Sequence, residues 1–141
     1  MDTNYKRVVI KAGTSVLTGD STSEILDHGR MADLVSQLCQ LNSDNDTDVL
    51  LVSSGAIAAG REILGQAPNS NPVRNIINRQ MLAAVGQGRL IHLYQELFGT
   101  KNVQVAQTLL TVNDISDQHS YLNLRNTLLA VSYTHLRAHE T

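Results

Sequence analysis

Val8-Val9-Ile10-Lys11-Ala12-Gly13-Thr14-Ser15 decides how the whole chain is read. Its three leading apolar residues predict a buried strand. That strand ends on a lysine, a glycine and two hydroxyl residues, where a parallel strand opens into its loop. Lysine supplies a mobile point charge suited to phosphate oxygens. Glycine lacks a Cβ, so backbone N–H groups can approach those oxygens closely. Lys11, Gly13, Thr14 and Ser15 are therefore candidate anion-binding residues at the carboxyl end of a strand, where open α/β sheets take their ligands. An exposed lysine followed by an ordinary turn accounts for the same residues.

The pattern recurs. Val49-Leu50-Leu51-Val52 is a second continuous apolar run, followed by Ser53-Ser54-Gly55-Ala56-Ile57-Ala58-Ala59-Gly60. Runs without alternation suit parallel strands covered on both faces. Helix N-termini carry unpaired N–H groups and partial positive charge, so the loop that opens this segment is a second candidate anion cradle. Two such loops at neighbouring strand ends can hold both partners of a phosphoryl transfer. Serine and glycine are also common at any strand-to-helix turn, and that plain structural reading stands beside the functional one.

Between the two runs, Ile25, Met31, Leu34, Val35, Leu38 and Leu41 recur at helical spacing, with Ser23 or a neighbouring hydroxyl as the predicted cap. A short helix is predicted over 56–64, closed by Gly65, and then a polar loop with Pro68 and Pro72. A long helix follows from about Asn75 to Phe98, with Gly99 at its stop. Gly86 and Gly88 inside it cost roughly 1 kcal/mol each relative to alanine, so close packing against the sheet or a bend is expected there. A third strand is predicted over 103–110 and a last helix over 117–130. Alternating strands and helices predict one α/β domain with a mainly parallel sheet.

Composition narrows the function. Net charge is −2 and aromatic content 4%, which leaves neither the basic footprint nor the stacking platforms of a nucleic-acid binder. Cys39, the single cysteine, sits among apolar helical positions and reads as core, and a reducing cytoplasm is its simplest setting. No charged start leads into an apolar leader, and no apolar run reaches the length of a membrane span. Gly-x-x-x-x-Gly-Lys-Ser/Thr is absent, Gly86-Gln87-Gly88 does not open a helix after a strand, and Ser54 lacks the Gly-x-Ser-x-Gly context. The histidines show no zinc-ligand spacing outside the last residues, and no protein-held metal site is expected.

Lys11–Ser15 and Val52–Arg61 together resemble the two N-terminal motifs of the glutamate 5-kinase family, within the amino acid kinase superfamily. Gln80–Gln87, Ala106–Thr111 and Tyr121–Leu128 match further segments in order, so the likeness runs from about residue 6 to residue 130. The resemblance implies a three-layer α/β/α sandwich and transfer of the ATP γ-phosphate to the side-chain carboxylate of L-glutamate, the first step of proline biosynthesis. It implies ATP with Mg²⁺ as cofactors, L-glutamate as substrate, proline as a feedback inhibitor, a homo-oligomeric parent and a cytoplasmic setting. Lys11 then corresponds to the catalytic lysine at the nucleotide phosphates, with Gly13, Thr14 and Ser15 beneath them. Ser54 corresponds to the serine that contacts glutamate, with Gly55 and Ala56 as backbone donors. Another superfamily member with a different acceptor, or a non-catalytic nucleotide-binding module, is the alternative.

The likeness stops after Ala130. Val131–Thr141 looks like translated adapter sequence of the kind that terminates assembled gene fragments, with a divergent native C-terminus as the alternative. Residues 1–130 are accordingly read as the N-terminal part of an amino acid kinase domain, and 131–141 as a non-native tail. The family's remaining glutamate contacts and most of its adenine pocket lie further along, in the part this reading assigns beyond residue 130. The 141-residue polypeptide is expected to show no ATP-dependent glutamate phosphorylation, and turnover by the purified chain contradicts this.

Overall fold

β1 (Arg7–Ala12) and β2 (Asp48–Ser53) pair in parallel, with register running from Arg7↔Asp48 to Ala12↔Ser53. The computed structural model describes residues 6–19, 24–45, 47–65 and 72–138. The chain divides into two compact units, Met1–Val103 and Gln104–Thr141. The first holds the sheet with α1 (Thr14–Thr18), α2 (His28–Asn45), α3 (Ala56–Leu64) and α4 (Pro72–Gly99). The second holds α5 (Val112–Ser116) and α6 (Gln118–Ala138). The predicted α/β class with a parallel sheet is therefore found.

Alternation along a strand sends successive side chains to opposite faces, so the register sorts the two strands. Ala12 and Leu51 face the core built from Leu17, Leu26, Met31, Val35, Ala58, Ala59, Leu90, Leu93 and Tyr94. Cys39 packs against this core as expected, and burial pushes its thiol pKa up. The other face carries Val9 and Val52, 61% and 45% exposed. Cover on both faces, expected from the continuous apolar runs, is thus not met in the first unit among the described residues. An apolar run reports that a strand is bound for burial, not which segment will bury it.

Helix starts follow local chemistry. α2 begins at His28, three residues past Ile25, because the Asp27 carboxylate accepts a hydrogen bond from the Arg30 amide at 3.1 Å. Ser23, the predicted cap, and the loop at 66–71 lie outside the described residues. Pro72 opens α4, where a missing N–H costs nothing. α2, α3 and α4 are tied by Glu62, whose Oε1 lies 2.7 Å from His28 Nε2 and 3.7 Å from Arg89 Nη2.

Residues 103–110 form no strand among the described residues, which corrects the prediction there. Their β propensity has no effect without a neighbouring edge to supply the ladder. Leu109 and Leu110 remain 71% and 50% exposed. In the second unit Thr111 and Asp114 form a reciprocal capping box that starts α5.

Gly86 is the closest point of the α3–α4 crossing. A Cβ there would stand 1.7 Å from the Ala56 carbonyl oxygen, and one on Gly60 would stand 2.1 Å from that of Leu82. Packing is therefore the reason for Gly86, as expected, although its partner is α3 and not the sheet. Gly88 has open space around it and no such reason. Gly86→Ala should lower stability by about 1–3 kcal/mol or more through overpacking. Gly88→Ala should leave it unchanged or raise it by up to about 1 kcal/mol. Urea unfolding of the two variants, read by circular dichroism, checks the contrast.

Candidate functional site

Parallel pairing in this register brings Ala12 beside Ser53, so both predicted loops leave the same edge of the sheet. They are joined directly. The Ser54 amide donates to the Ala12 carbonyl at 2.9 Å, and its hydroxyl reaches the same oxygen at 3.2 Å. The Thr14 hydroxyl donates in turn to Ser54 Oγ at 3.2 Å. The two loops read separately from sequence form one hydrogen-bonded edge.

Lys11 is the last charged residue of β1 before this edge, exposed and without an ion-pair partner among the described residues. It lies on the open sheet face, beside Val52 in register and two residues from Val9. Gly13 is the N-cap of α1 and receives the Val16 and Leu17 amides on its carbonyl. Helix geometry leaves the amides of Thr14 and Ser15 without an intrahelical acceptor, and both residues are exposed.

Gly55 caps α3 with φ +111°, a left-handed conformation that favours glycine. It is also buried, and a Cβ would lie 3.0 Å from Leu17 Cδ1. No side chain caps α3, so the amides at its first turn, beginning with Ala56, are free of a side-chain acceptor. Ala59 is the first residue whose amide returns to the cap, reaching the Gly55 carbonyl at 2.9 Å.

Two residues that sequence reasoning did not single out hold this edge. Tyr94 of α4 lies with its hydroxyl 2.7 Å from Ser53 Oγ. Glu24 pairs with the buried Arg61 of α3 and so ties the segment before α2 to the helix behind the second loop. Arg61 marked the end of the specific motif, and the structure gives it this anchoring contact. Tyr94 carried a helical core signal only, and nothing in the spacing disclosed what its hydroxyl meets.

The edge thus carries Lys11, the hydroxyls of Thr14, Ser15, Ser53 and Ser54, and two helix starts whose cap glycines offer no side chain. Such an arrangement binds anionic oxygens by charge and by N–H or O–H donation. No group of three or more His, Cys, Asp or Glu among the described residues could hold a metal ion directly. No described helix is long and apolar enough to cross a membrane.

Open α/β sheets take their ligands at the carboxyl ends of their strands, which is where this edge lies. The model of the amino acid kinase family matches residues 6–132, and the chain belongs to that family. It is 50% identical over 129 residues to a protein of Dehalococcoides mccartyi named glutamate 5-kinase, covering 90% of this chain and 32% of that relative. It is likewise 50% identical over 124 residues to glutamate 5-kinase 2 of Pseudoalteromonas translucida and over 125 residues to a glutamate 5-kinase of Herpetosiphon aurantiacus. These matches cover 88% and 89% of this chain, and the chain spans 32% of the length of each.

The Thr14–Ser54 link is testable on the chain itself. A double-mutant cycle with Thr14→Val and Ser54→Ala, read by chemical unfolding, should give a coupling of about 0.5–1.5 kcal/mol. Additive effects would show that the two loops are held independently.

Proposed function

We propose that these residues are the N-terminal part of an ATP-dependent kinase that phosphorylates the side-chain carboxylate of L-glutamate. The observation that carries this is the joined edge, where Thr14 and Ser54 bind each other across two strands that end side by side. Support for the acceptor comes from the three relatives named glutamate 5-kinase. The family match ends at residue 132, which supports reading 131–141 as a non-native tail.

Lys11, Gly13, Thr14 and Ser15 are assigned to the nucleotide phosphates, and Ser54, Gly55 and Ala56 to the acceptor. The donor set fits: an ammonium with no ion-pair partner among the described residues, and helix-start amides without a side-chain cap, suit phosphate and carboxylate oxygens alike. ATP, as its Mg²⁺ complex, supplies the phosphoryl group. The protein's part is to hold two anions in line and to neutralise the charge that moves between them. A carboxylate acceptor is already ionised near neutral pH, so no general base is needed.

Ser54 bears on the acceptor side in a specific way. Its single hydrogen is committed to the Ala12 carbonyl and one lone pair to Thr14. To donate to a substrate carboxylate it must release Ala12, whereas the amides of Gly55 and Ala56 require no such exchange. The α3 amides therefore bear most of the acceptor's charge, with Ser54 fixing the loop that presents them.

In the full-length protein, Lys11→Ala should lower kcat by roughly 10²–10³, because the lysine counters charge chiefly in the transition state. Ser54→Ala should instead raise the KM for glutamate with kcat much less affected. Steady-state kinetics of both variants check the assignment, and normal turnover in Lys11→Ala would sink it.

A further inference from the structure

α4 runs a stripe of residues spaced by four along the acceptor loop. Gly86 meets the Ala56 carbonyl, Leu90 lies beside Gly55, and Tyr94 reaches Ser53. Only the last contact is polar. Resting on the acceptor reading given above, we infer that Tyr94 is a positioning residue that sets acceptor affinity through Ser53.

The directions of the hydrogen bonds make the argument. A carbonyl oxygen only accepts, so the Ser53 hydroxyl donates its one hydrogen to the Ser54 carbonyl, at 2.8 Å. Ser53 Oγ is then an acceptor toward Tyr94, and the tyrosine must donate at 2.7 Å. The result is a one-way chain from Tyr94 through Ser53 to the peptide that joins Ser54 to Gly55. That peptide carries the Gly55 amide, and its rotation decides where the amide points. Tyr94 is 3% exposed, and burial holds its phenol protonated by raising its pKa. Its ring is fixed independently: it packs in the core and sits against Phe98, with ring centroids 6.3 Å apart.

The ring and the hydroxyl thus have separable duties. Removing the hydroxyl leaves the packing and frees the loop peptide. Removing the ring would damage the core, so truncation to alanine is uninformative here.

The test is steady-state kinetics of Tyr94→Phe, Ser53→Ala and Ser53→Thr in the full-length protein, with L-glutamate and ATP varied separately and Tm measured alongside. Tyr94→Phe should raise the glutamate KM roughly five- to tenfold, the loss of one hydrogen bond, with the ATP KM and Tm little changed. Ser53→Ala should reproduce that rise, Ser53→Thr should restore normal affinity by keeping the hydroxyl, and the Tyr94→Phe/Ser53→Ala pair should be no worse than either alone. An unchanged glutamate KM in Tyr94→Phe, or glutamate and ATP KM values rising in step with a lower Tm, overturns the inference. Ser54→Ala separates the two levels. A raised glutamate KM there with none in Tyr94→Phe overturns the Tyr94 role alone, and none in either overturns the acceptor reading as well.

Discussion

The parallel register of two six-residue strands is the constraint on which the site depends. A one-residue slip of either strand would turn its core residue, Ala12 or Leu51, away from the core and pull Ser54 out of reach of the Ala12 carbonyl. The register is held at one end by the Arg7–Asp48 ion pair at 3.1 Å, of which the arginine is half exposed. An exposed pair of this kind contributes little by itself. Burial of alternate side chains does most of the work, and the hydroxyl contacts among Thr14, Ser54 and Ala12 finish the opposite end.

Within the first unit, α3 and α4 support that edge. α3 starts immediately behind the second loop, and α4 lies so close to it that only glycine fits at positions 60 and 86. Close approach of the two helices turns the floor of the loop into a rigid surface, because interiors at native density transmit small displacements instead of absorbing them. Tyr94 anchors the edge through Ser53, and Arg61 holds the helix behind the second loop to Glu24.

Much of this was legible in the sequence. Apolar runs that end in glycine and hydroxyls disclosed both strands and both loops, and the span of α3 was read to the residue. Reading the two strands as parallel neighbours placed both loops at one end of the sheet. Three things were hidden, each for a physical reason. Val103–Leu110 has the composition of a strand, but pairing decides whether a strand forms, and composition is silent on partners. The Asp27 carboxylate meets the Arg30 amide at the start of α2, and the sequence offers several adequate caps there without ranking them by geometry. Tyr94 looked like any core aromatic, since a helical period reports which face is buried and not what one hydroxyl touches.

Under the proposed function this edge presents two anions to each other, one of them a glutamate carboxylate. Phosphoryl transfer to a carboxylate yields an acyl phosphate, which hydroxylamine captures as a stable hydroxamate. The most direct measurement is hydroxamate formation by the full-length protein with ATP and a panel of acidic acceptors. The proposed function predicts ATP-dependent product with L-glutamate and far less with L-aspartate or N-acetyl-L-glutamate. Equal product from those acceptors, or none from glutamate, would contradict it.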